Sequence, residues 1–210
     1  MGALRKDAAS GKVIEPAVFV ASDAELCEAA LAGDLQARAK LCERYLQHVT
    51  RVLARVLGRD PELADLVHDV LHAALTDLHK LRDASAFRPW ITTIAVHHAR
   101  ARIRRRTRFR WLFREELDES RQPARAAPDD ALDALDAVYR VLDKLPVDER
   151  TAFALRFVDG MELTEVASAC EVSLATIKRK LAGAERRFVN LAEREPALET
   201  WLLNSRWRDA

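Results

Sequence analysis

The segment from residue 162 to residue 187 constrains the fold most strongly, because it reads as two amphipathic helices joined by a short turn. Apolar residues recur at helical spacing in the first helix, and Ser173 can cap the free backbone amides of the second. The predicted inward residues are Leu163, Val166, Ala167 and Cys170 in the first helix, then Leu174, Ile177, Leu181, Ala184 and Phe188. This pattern predicts a helix-turn-helix, whose second helix can enter the major groove of DNA.

The second helix carries a basic and polar face opposite its apolar stripe. The candidate DNA contacts on that face are Ser173, Thr176, Lys178, Arg179, Lys180 and Arg186. An ordinary pair of packed helices with a solvated basic face gives the same pattern, so the segment alone leaves both interpretations open. Glu171 lies in the turn, where such motifs usually have glycine. A left-handed conformation costs a non-glycine residue about 1–2 kcal/mol, which predicts a slightly different bend.

Charge is strongly segregated along the chain, although the formal net charge is only +1. Residues 84–114 hold nine arginines and no acidic residue, whereas residues 115–136 hold eight acidic residues and two arginines. A basic helix repels itself unless a polyanion neutralises it. The run therefore predicts binding to nucleic acid, with a merely solvated cationic face as the alternative.

The rest of the composition bounds the class of protein. Abundant Ala, Leu and Arg with only six glycines in 210 residues favour an all-α fold of one domain or two small ones. The three cysteines are scattered and form no C-x-x-C pair, which predicts a reduced, cytoplasmic chain without a disulfide framework or a cysteine zinc site. No apolar run approaches the ~18 residues of a membrane span, so no membrane insertion is expected.

Capping signals divide the N-terminal half into four predicted helices. They run from the cap Ser22 to residue 32, from the cap Asp34 to Gly58, from the cap Asp60 to about residue 81, and onward from the cap Ser85. Two further helices are predicted over residues 130–145 and 147–158. Leu132, Leu135, Val138, Val141 and Leu142 are the predicted inward residues of the first of these.

The third predicted helix carries an acidic and histidine-rich face, made of Asp65, His68, Asp69 and His72. The spacing of its two histidines is that of the H-E-x-x-H zinc motif, but Asp69 is one carbon shorter than the glutamate that acts there as the general base. A metal-dependent hydrolase is therefore a weak alternative, and no metal or other cofactor is expected. A surface for docking another protein explains the face better.

Three segments in order resemble a bacterial RNA polymerase sigma factor of the extracytoplasmic-function (ECF) group of the sigma-70 family. ELADLVHDVLHAAL is similar to the helix that binds core polymerase, and FRPWITTIAVHHARARIRRR is similar to the helix that reads and melts the −10 region. Residues 142–187 are similar to the domain that reads the −35 region. The chain departs from the family at His68, His97 and Ala101, where the family usually has Gln, Asn and an acid.

The resemblance implies two small helical domains joined by a flexible linker, the second containing the helix-turn-helix. Residues 1–21 are an extension, 22–108 a region 2-like domain, 109–130 the acidic linker, 131–193 a region 4-like domain and 194–210 a tail. In the tail, Leu198, Trp201 and Leu202 have the spacing of a short docking helix. The linker is expected to mimic nucleic acid in a polymerase channel.

The implied activity is non-enzymatic: the chain is expected to initiate transcription at specific promoters in a stress or envelope response. Its implied partners are core RNA polymerase, promoter DNA and an anti-sigma protein, and the free chain is expected to be a monomer. Asp65, His68, Asp69 and His72 are expected to bind core polymerase. Residues expected at the −10 region and its phosphates are Arg82, Ser85, Phe87, Arg88, Trp90, His97, Arg100, Arg104, Arg105 and Arg106. The alternative role of Trp90 is packing in the hydrophobic core. A helix-turn-helix regulator that acts without polymerase is the competing function.

Overall fold

A computed structural model describes residues 21–112 and 130–199, and the whole of this part is helical or irregular, without a strand. Four helices form the N-terminal domain and four the C-terminal domain. They are α1 (Asp23–Leu31), α2 (Leu35–Leu57), α3 (Leu63–Thr76), α4 (Phe87–Leu112), α5 (Asp130–Leu142), α6 (Val147–Phe153), α7 (Leu163–Ala169) and α8 (Leu174–Ala192). None of the described helices is both long and apolar enough to cross a membrane.

The first two helices begin and end where the sequence predicts. The Ser22 hydroxyl accepts a hydrogen bond from the Glu25 amide at 3.2 Å, and the Glu25 carboxylate accepts one from the Ser22 amide at 2.7 Å. Asp34 caps α2 by accepting from the amides of residues 36 and 37. The helix ends at Gly58, whose φ of 71° is readily available only to glycine. Local capping chemistry therefore fixes both helices.

The third helix differs from the prediction at both ends. It begins at Leu63, two residues beyond Pro61, and it ends at Thr76 instead of continuing to residue 81. Asp60 accepts a hydrogen bond from the Glu62 amide at 3.0 Å, so it stabilises a turn before α3 and does not cap the helix. A separate 3₁₀ turn, Leu78–Lys80, follows Thr76 and buries Leu78. The apolar periodicity continues through both the helix and the turn, and for this reason the sequence predicted a single helix.

Asp83, and not Ser85, caps the entry into α4. Its carboxylate accepts hydrogen bonds from the Ser85 amide at 2.9 Å and the Ser85 hydroxyl at 2.6 Å, which fixes a 3₁₀ turn over Ala84–Ala86. The α4 helix then extends to Leu112, beyond the predicted domain boundary at residue 108. Phe87, Ile91, Ala95 and Ile103 on one side of α4 are buried.

In the C-terminal domain, the predicted inward face of α5 is correct for Val138, Val141 and Leu142 and wrong for Leu132 and Leu135. Leu132 and Leu135 are 46% and 39% exposed, whereas Ala137, Val141 and Leu142 are buried. The buried side packs against α8 and against a 3₁₀ turn, Pro196–Leu198. Leu198 fills this contact and is fully buried. The direction in which α5 faces is thus set by α8 and the turn after it, which the periodicity of α5 alone does not reveal.

The helix-turn-helix is formed by α7 and α8, as predicted. Ser173 caps α8 by accepting a hydrogen bond from the Thr176 amide at 3.2 Å. Ile177 and Leu181 are buried, but Leu174 at the start of the helix is 37% exposed. Glu171 has a φ of 54°, so the turn keeps the left-handed residue and the expected difference in the bend is not found.

The two domains pack directly against each other. One apolar cluster runs from the N-terminal helices into α6, α7 and the first half of α8, and includes Val96, Ala99, Leu155, Val166 and Cys170. A second cluster, around Phe153 and Phe188, belongs to the C-terminal domain alone. The first cluster makes this an apolar interface between the domains.

Several predictions fall outside the described residues. These concern the N-terminal extension up to residue 20, the acidic linker over residues 113–129, and the docking of Trp201 and Leu202 in the tail.

Candidate nucleic-acid interface

The basic face of α8 carries the predicted contacts to DNA. Lys178 and Arg179, in the first two turns, are exposed, as is Arg186 two turns further on. The neighbouring Ile177 and Leu181 are buried, which fixes the rotation of the helix. Packing of the apolar stripe therefore presents the basic side chains outward on a rigid element.

The remaining candidate residues of α8 have partners inside the protein. The Ser173 and Thr176 hydroxyls are 2.9 Å apart and form part of the helix cap. Lys180 donates a hydrogen bond to Asp148 in α6. This bond lowers the pKa of Asp148, with burial opposing the change and nearby arginines reinforcing it. Lys180 therefore links α8 to α6 within the C-terminal domain. Lys178, Arg179 and Arg186 remain exposed to solvent.

The candidates at the start of α4 divide by burial. Arg82, Ser85 and Arg88 are exposed, and Trp90 is partly buried. Phe87 is only 1% exposed, and its ring lies 4.9 Å from that of Tyr45 and 5.7 Å from that of Trp90. Phe87, expected among the residues at the −10 region, therefore does not reach the surface, and its ring packs against that of Trp90 from the core.

The basic stretch of α4 contains two kinds of arginine. Arg104 and Arg105 are exposed, with no ion pair among the described residues. Arg100 is 12% exposed, donates to the Cys170 carbonyl at 3.4 Å and lies 3.6 Å from Asp148. Arg106 lies 3.1 Å from Asp60 and 3.7 Å from Asp143. All four arginines were expected at the −10 region and its phosphates. Of the four, only Arg104 and Arg105 are free to meet phosphates in this arrangement.

Asp60 is the centre of a buried ionic network that sequence reasoning missed. Its carboxylate is fully buried and accepts two hydrogen bonds from Arg102, both at 3.0 Å, and one from Arg106 at 3.1 Å. Burial alone would raise the pKa of Asp60, but the hydrogen bonds from Arg102 and from the Glu62 amide, with the charges of Arg102 and Arg106, lower it overall. The sequence offered one signal, an aspartate before a proline, and that signal also fits a helix cap.

His97 and Glu171 meet across the two domains. The His97 Nε2 atom lies 2.6 Å from a Glu171 carboxylate oxygen, and both side chains are more than half exposed. His97 stands where the resembled family has Asn, and Glu171 stands where helix-turn-helix motifs usually have glycine. Two unusual residues that lie far apart in the sequence therefore contact each other in the structure.

The acidic face of α3 is fully presented to solvent. Asp65, His68, Asp69 and His72 are all exposed, and the two imidazole rings stack with centroids 6.5 Å apart. Across the described ranges, no three His, Cys, Asp or Glu side chains are grouped so that they can hold a metal ion. The face has the exposure and charge of a surface for a basic partner.

Comparison with known proteins assigns both domains. Residues 41–109 match the family described as Sigma-70 region 2, and residues 135–188 match the family described as Sigma-70, region 4. The first range contains α3 and most of α4, and the second contains the helix-turn-helix. Both matches thus cover the surfaces described above.

Three curated relatives match over most of their length. The chain is 31% identical to the ECF RNA polymerase sigma factor SigM of Mycobacterium tuberculosis over 180 residues, which is 81% of this chain and 84% of that protein. It is 25% identical to the RNA polymerase sigma-H factor of Pseudomonas aeruginosa, covering 76% and 88% of the two chains. It is 25% identical to the ECF RNA polymerase sigma-E factor of Escherichia coli K12, covering 80% and 93%.

Two solved structures share the fold. CnrH, in complex with the cytosolic domain of CnrY, superposes with a TM-score of 0.57 at 21% identity, covering 81% of this chain and 97% of that one. The sigma factor RpoE of Bartonella quintana, in complex with the anti-sigma factor NepR, gives a TM-score of 0.53 at 23% identity, covering 75% and 97%. At these identities the comparison establishes the architecture.

Proposed function

The chain belongs to the extracytoplasmic-function group of the sigma-70 family, and from that membership we propose that it binds core RNA polymerase and directs promoter-specific initiation of transcription. The observation that carries the proposal is the pairing of two surfaces on one chain. An exposed basic recognition helix lies in one domain, and an exposed acidic face on α3 lies in the other. A regulator that acts alone on an operator has no use for the second surface.

The proposed reader of the −35 element is α8. Its free side chains, Lys178, Arg179 and Arg186, can meet phosphates or base edges once the helix enters the major groove. An arginine that binds guanine through both its O6 and N7 atoms gives about 1–3 kcal/mol of discrimination between bases. Arg179 is the best placed for this contact, because it lies near the N-terminus of the helix and its neighbours Ile177 and Leu181 hold the backbone in place.

The proposed reader of the −10 element is the first half of α4 with the turn before it. Arg82, Ser85 and Arg88 are exposed there, beside the partly buried Trp90. Aromatic rings and guanidinium planes hold unpaired bases by stacking. Arg104 and Arg105, further along the helix, supply phosphate contacts that position the strand without reading its sequence.

The proposed site for core polymerase is the face of α3 that carries Asp65, His68, Asp69 and His72. Two carboxylates at i and i+4 on one exposed helix face attract a basic partner surface. We add an anti-sigma protein as a partner, since one of the similar solved structures is a sigma factor bound to such a protein. The chain is proposed to act in the cytoplasm, as a monomer when free, and we assign it no catalytic residue.

Run-off transcription with purified core polymerase tests the proposal. We expect a transcript from a cognate promoter only when both the chain and core polymerase are present, and weak DNA binding by the chain alone. Tight, specific binding to an operator without polymerase, together with no transcript in its presence, supports the competing function of a regulator that acts alone.

A further inference from the structure

A cleft of about 510 Å³ lies where the two domains meet. One wall comes from α2 and α4, which contribute His48, Arg51 and Arg88, and the other comes from α7 and the residues before it, which contribute Asp159 and Met161. Clefts of about 300–1,000 Å³ are the usual size of small-molecule sites in proteins. Of the residues expected to bind DNA or polymerase, only Arg88 lines this interdomain cleft, so the proposed function does not explain it.

One end of the interdomain cleft is basic. It opens into a second hollow, of about 450 Å³, which shares His48, Arg51 and Arg88 with it and adds Arg44. No acidic residue is among the described residues that line this hollow. Arg44 and Arg51 have acidic partners of their own, whereas Arg88 is exposed and forms no ion pair with another described residue. Guanidinium groups arranged in this way favour an anion such as phosphate.

The charges of two of these arginines act on the same ring. Burial, followed by the charges of Arg88 and Arg51, lowers the pKa of His48, with Asp159 acting in the opposite direction. A terminal guanidinium nitrogen of Arg51 also lies 3.5 Å from His48 Nδ1. Like charges that are held close together repel each other, and a bound anion relieves that repulsion. The basic end is therefore stabilised by an anionic ligand.

The other wall supplies a buried acceptor without a donor. The side chain of Asp159 is only 3% exposed, and its Oδ1 atom accepts no hydrogen bond from the described residues, although Arg51 Nε lies 3.1 Å away. A buried oxygen without a hydrogen bond is costly, and each such atom in a native protein calls for an explanation. Because Asp159 lines the cleft, an N–H group of a ligand can supply the missing hydrogen bond.

Apolar and hydroxyl side chains complete the lining. Pro89, Met161 and Ala169 contribute apolar surface, and Thr164 and Ser168 contribute exposed hydroxyls. The thioether of methionine makes favourable contacts with aromatic rings. The interdomain cleft therefore combines a site for an anion, a surface for a flat ring and an acceptor for N–H donors.

From these features we propose that the interdomain cleft binds a nucleotide, with its phosphates against Arg51 and Arg88 and an N–H group of its base donating to Asp159. A nucleotide has all three of the required properties, because its base is a flat ring with N–H donors on its edge. A free phosphate has only the first. The proposal goes beyond the proposed function, since it concerns a small molecule bound to the chain without polymerase or promoter DNA.

Calorimetric titration of the full-length chain tests the class of ligand. The probes are ATP, GTP and inorganic pyrophosphate, which carries phosphate charge without a base. We expect at least one of the two nucleotides to bind about tenfold or more tightly than pyrophosphate, because a hydrogen bond to a buried charged group is worth about that factor. If neither nucleotide binds more tightly than pyrophosphate, the proposal is wrong.

Two arginine variants test the place of the phosphates. Arg88→Gln should weaken binding of both the nucleotide and pyrophosphate by about tenfold, because it removes a charge-assisted contact to phosphate. Arg105→Gln is the matched control, since it removes the same charge from another exposed position on α4. Its affinity for the nucleotide should equal that of the wild type. Equal losses in the two variants place the nucleotide on the basic surface of α4 and overturn the proposal.

Two variants of the other wall test the place of the base. Asp159→Asn should weaken binding of the nucleotide and not that of pyrophosphate, because only the nucleotide has an N–H group for this acceptor. Ser168→Trp, at an exposed position of α7, should abolish nucleotide binding by filling the cleft without a change of charge. Circular dichroism checks the fold of each variant, and Ser168→Trp decides the outcome if Asp159→Asn does not fold. Wild-type affinity for the nucleotide in a folded variant of either kind contradicts the proposed site.

Discussion

At the scale of the residue, position in the fold decides what each charged side chain does. Arg102 and Arg105 lie on the same helix, yet Arg102 is 10% exposed and bound to Asp60 and Glu62, whereas Arg105 faces solvent. Arginine matches a carboxylate through two parallel hydrogen bonds, and Asp60 receives such a pair from Arg102. The first therefore serves stability and the second remains available to a ligand.

The buried network around Asp60 is expected to be a main support of the N-terminal domain. Asp60→Asn should lower the free energy of unfolding by about 3–5 kcal/mol, because it leaves Arg102 and Arg106 without their shared partner. Asp77→Asn is the matched control: its pair with Lys80 lies on the surface, and its loss should cost less than about 1 kcal/mol. Urea denaturation measures both, and equal losses would show that the Asp60 network stabilises the fold no more than a surface ion pair does.

His48 is expected to make stability depend on pH. Burial, together with the charges of Arg88 and Arg51, lowers its pKa, with Asp159 acting in the opposite direction. The Thr92 hydroxyl donates to the Arg88 carbonyl and lies 2.7 Å from His48 Nε2, so the neutral ring donates from Nε2. Protonation then places a second N–H near Arg51.

The sign follows from the lowered pKa. The unfolded chain takes up a proton near the ordinary histidine pKa of about 6.5, and the folded chain does so only at lower pH. The contribution of neutral His48 to stability is therefore fully present above the pKa of the unfolded chain. It is lost as the pH falls through the lower pKa of the folded chain. Chemical denaturation at pH 7.5 and 5.5 should show a smaller fall in His48→Gln than in the exposed-site control His72→Gln. Identical falls in the two variants contradict the assignment.

Arg179 is expected to carry base recognition in α8. Arg179→Ala should lower transcription from promoters that depend on the −35 element by about ten- to a hundredfold, the equivalent of 1–3 kcal/mol for a guanine contact. Binding to core polymerase should not change, because the proposed docking face lies on α3. Pull-down and run-off assays measure the two effects. Loss of polymerase binding, or wild-type activity on every template, argues against the role given to this residue.

At the scale of the element, α4 serves two purposes along its length. Its apolar side closes the core of the N-terminal domain, and its basic side meets the C-terminal domain at His97, Arg100 and Arg106. Arg104 and Arg105 complete the charged run on exposed positions. One helix thus combines structural arginines with arginines that can bind phosphate.

This division predicts different effects for two double variants of α4. Arg104→Ala with Arg105→Ala should weaken DNA binding about equally across promoter sequences and flatten the slope of log K against log[salt] by about 1.8, or 0.9 for each lost phosphate contact. Arg102→Ala with Arg106→Ala should instead lower the thermal stability. Salt titrations of binding and thermal melts measure the two effects, and an unchanged slope in the first variant would remove Arg104 and Arg105 from the phosphate contacts.

At the scale of the whole molecule, the contact between the two domains affects the two proposed binding surfaces differently. The α3 face is exposed, whereas the basic groups of α4 that pair with the C-terminal domain are occupied.

Reversing the charge of the α3 face tests its proposed role in binding core polymerase. Asp65→Lys with Asp69→Lys should abolish binding to core polymerase, because two attractive charges become repulsive toward a basic partner. Both residues are exposed and unpaired with any described side chain, so the fold and the DNA contacts of α8 should persist. Polymerase pull-down and DNA binding are the two measurements. Retained pull-down would move the docking site away from α3.

The sequence alone determined what depends on interactions between neighbours along the chain. The all-α class and the basic run follow from composition and from the distribution of charge along the chain. The caps at Ser22, Asp34 and Ser173 and the helix-turn-helix follow from helical periodicity and capping, which act within about four residues. The order of three segments was enough to indicate the family. The sequence placed Glu171 in the turn, but it predicted a slightly different bend and not the left-handed conformation that Glu171 adopts.

Only the tertiary structure decided which residues meet across the chain. Asp60 pairs with Arg102 over 42 positions and Arg150 reaches Val56 over 94, and neither pairing leaves a mark in local periodicity. The same holds for the face that α5 buries, which α8 selects, and for the burial of Phe87 against Tyr45. Side chains of one type are alike in the sequence, and their roles diverge because folding gives each a different partner and a different exposure to water.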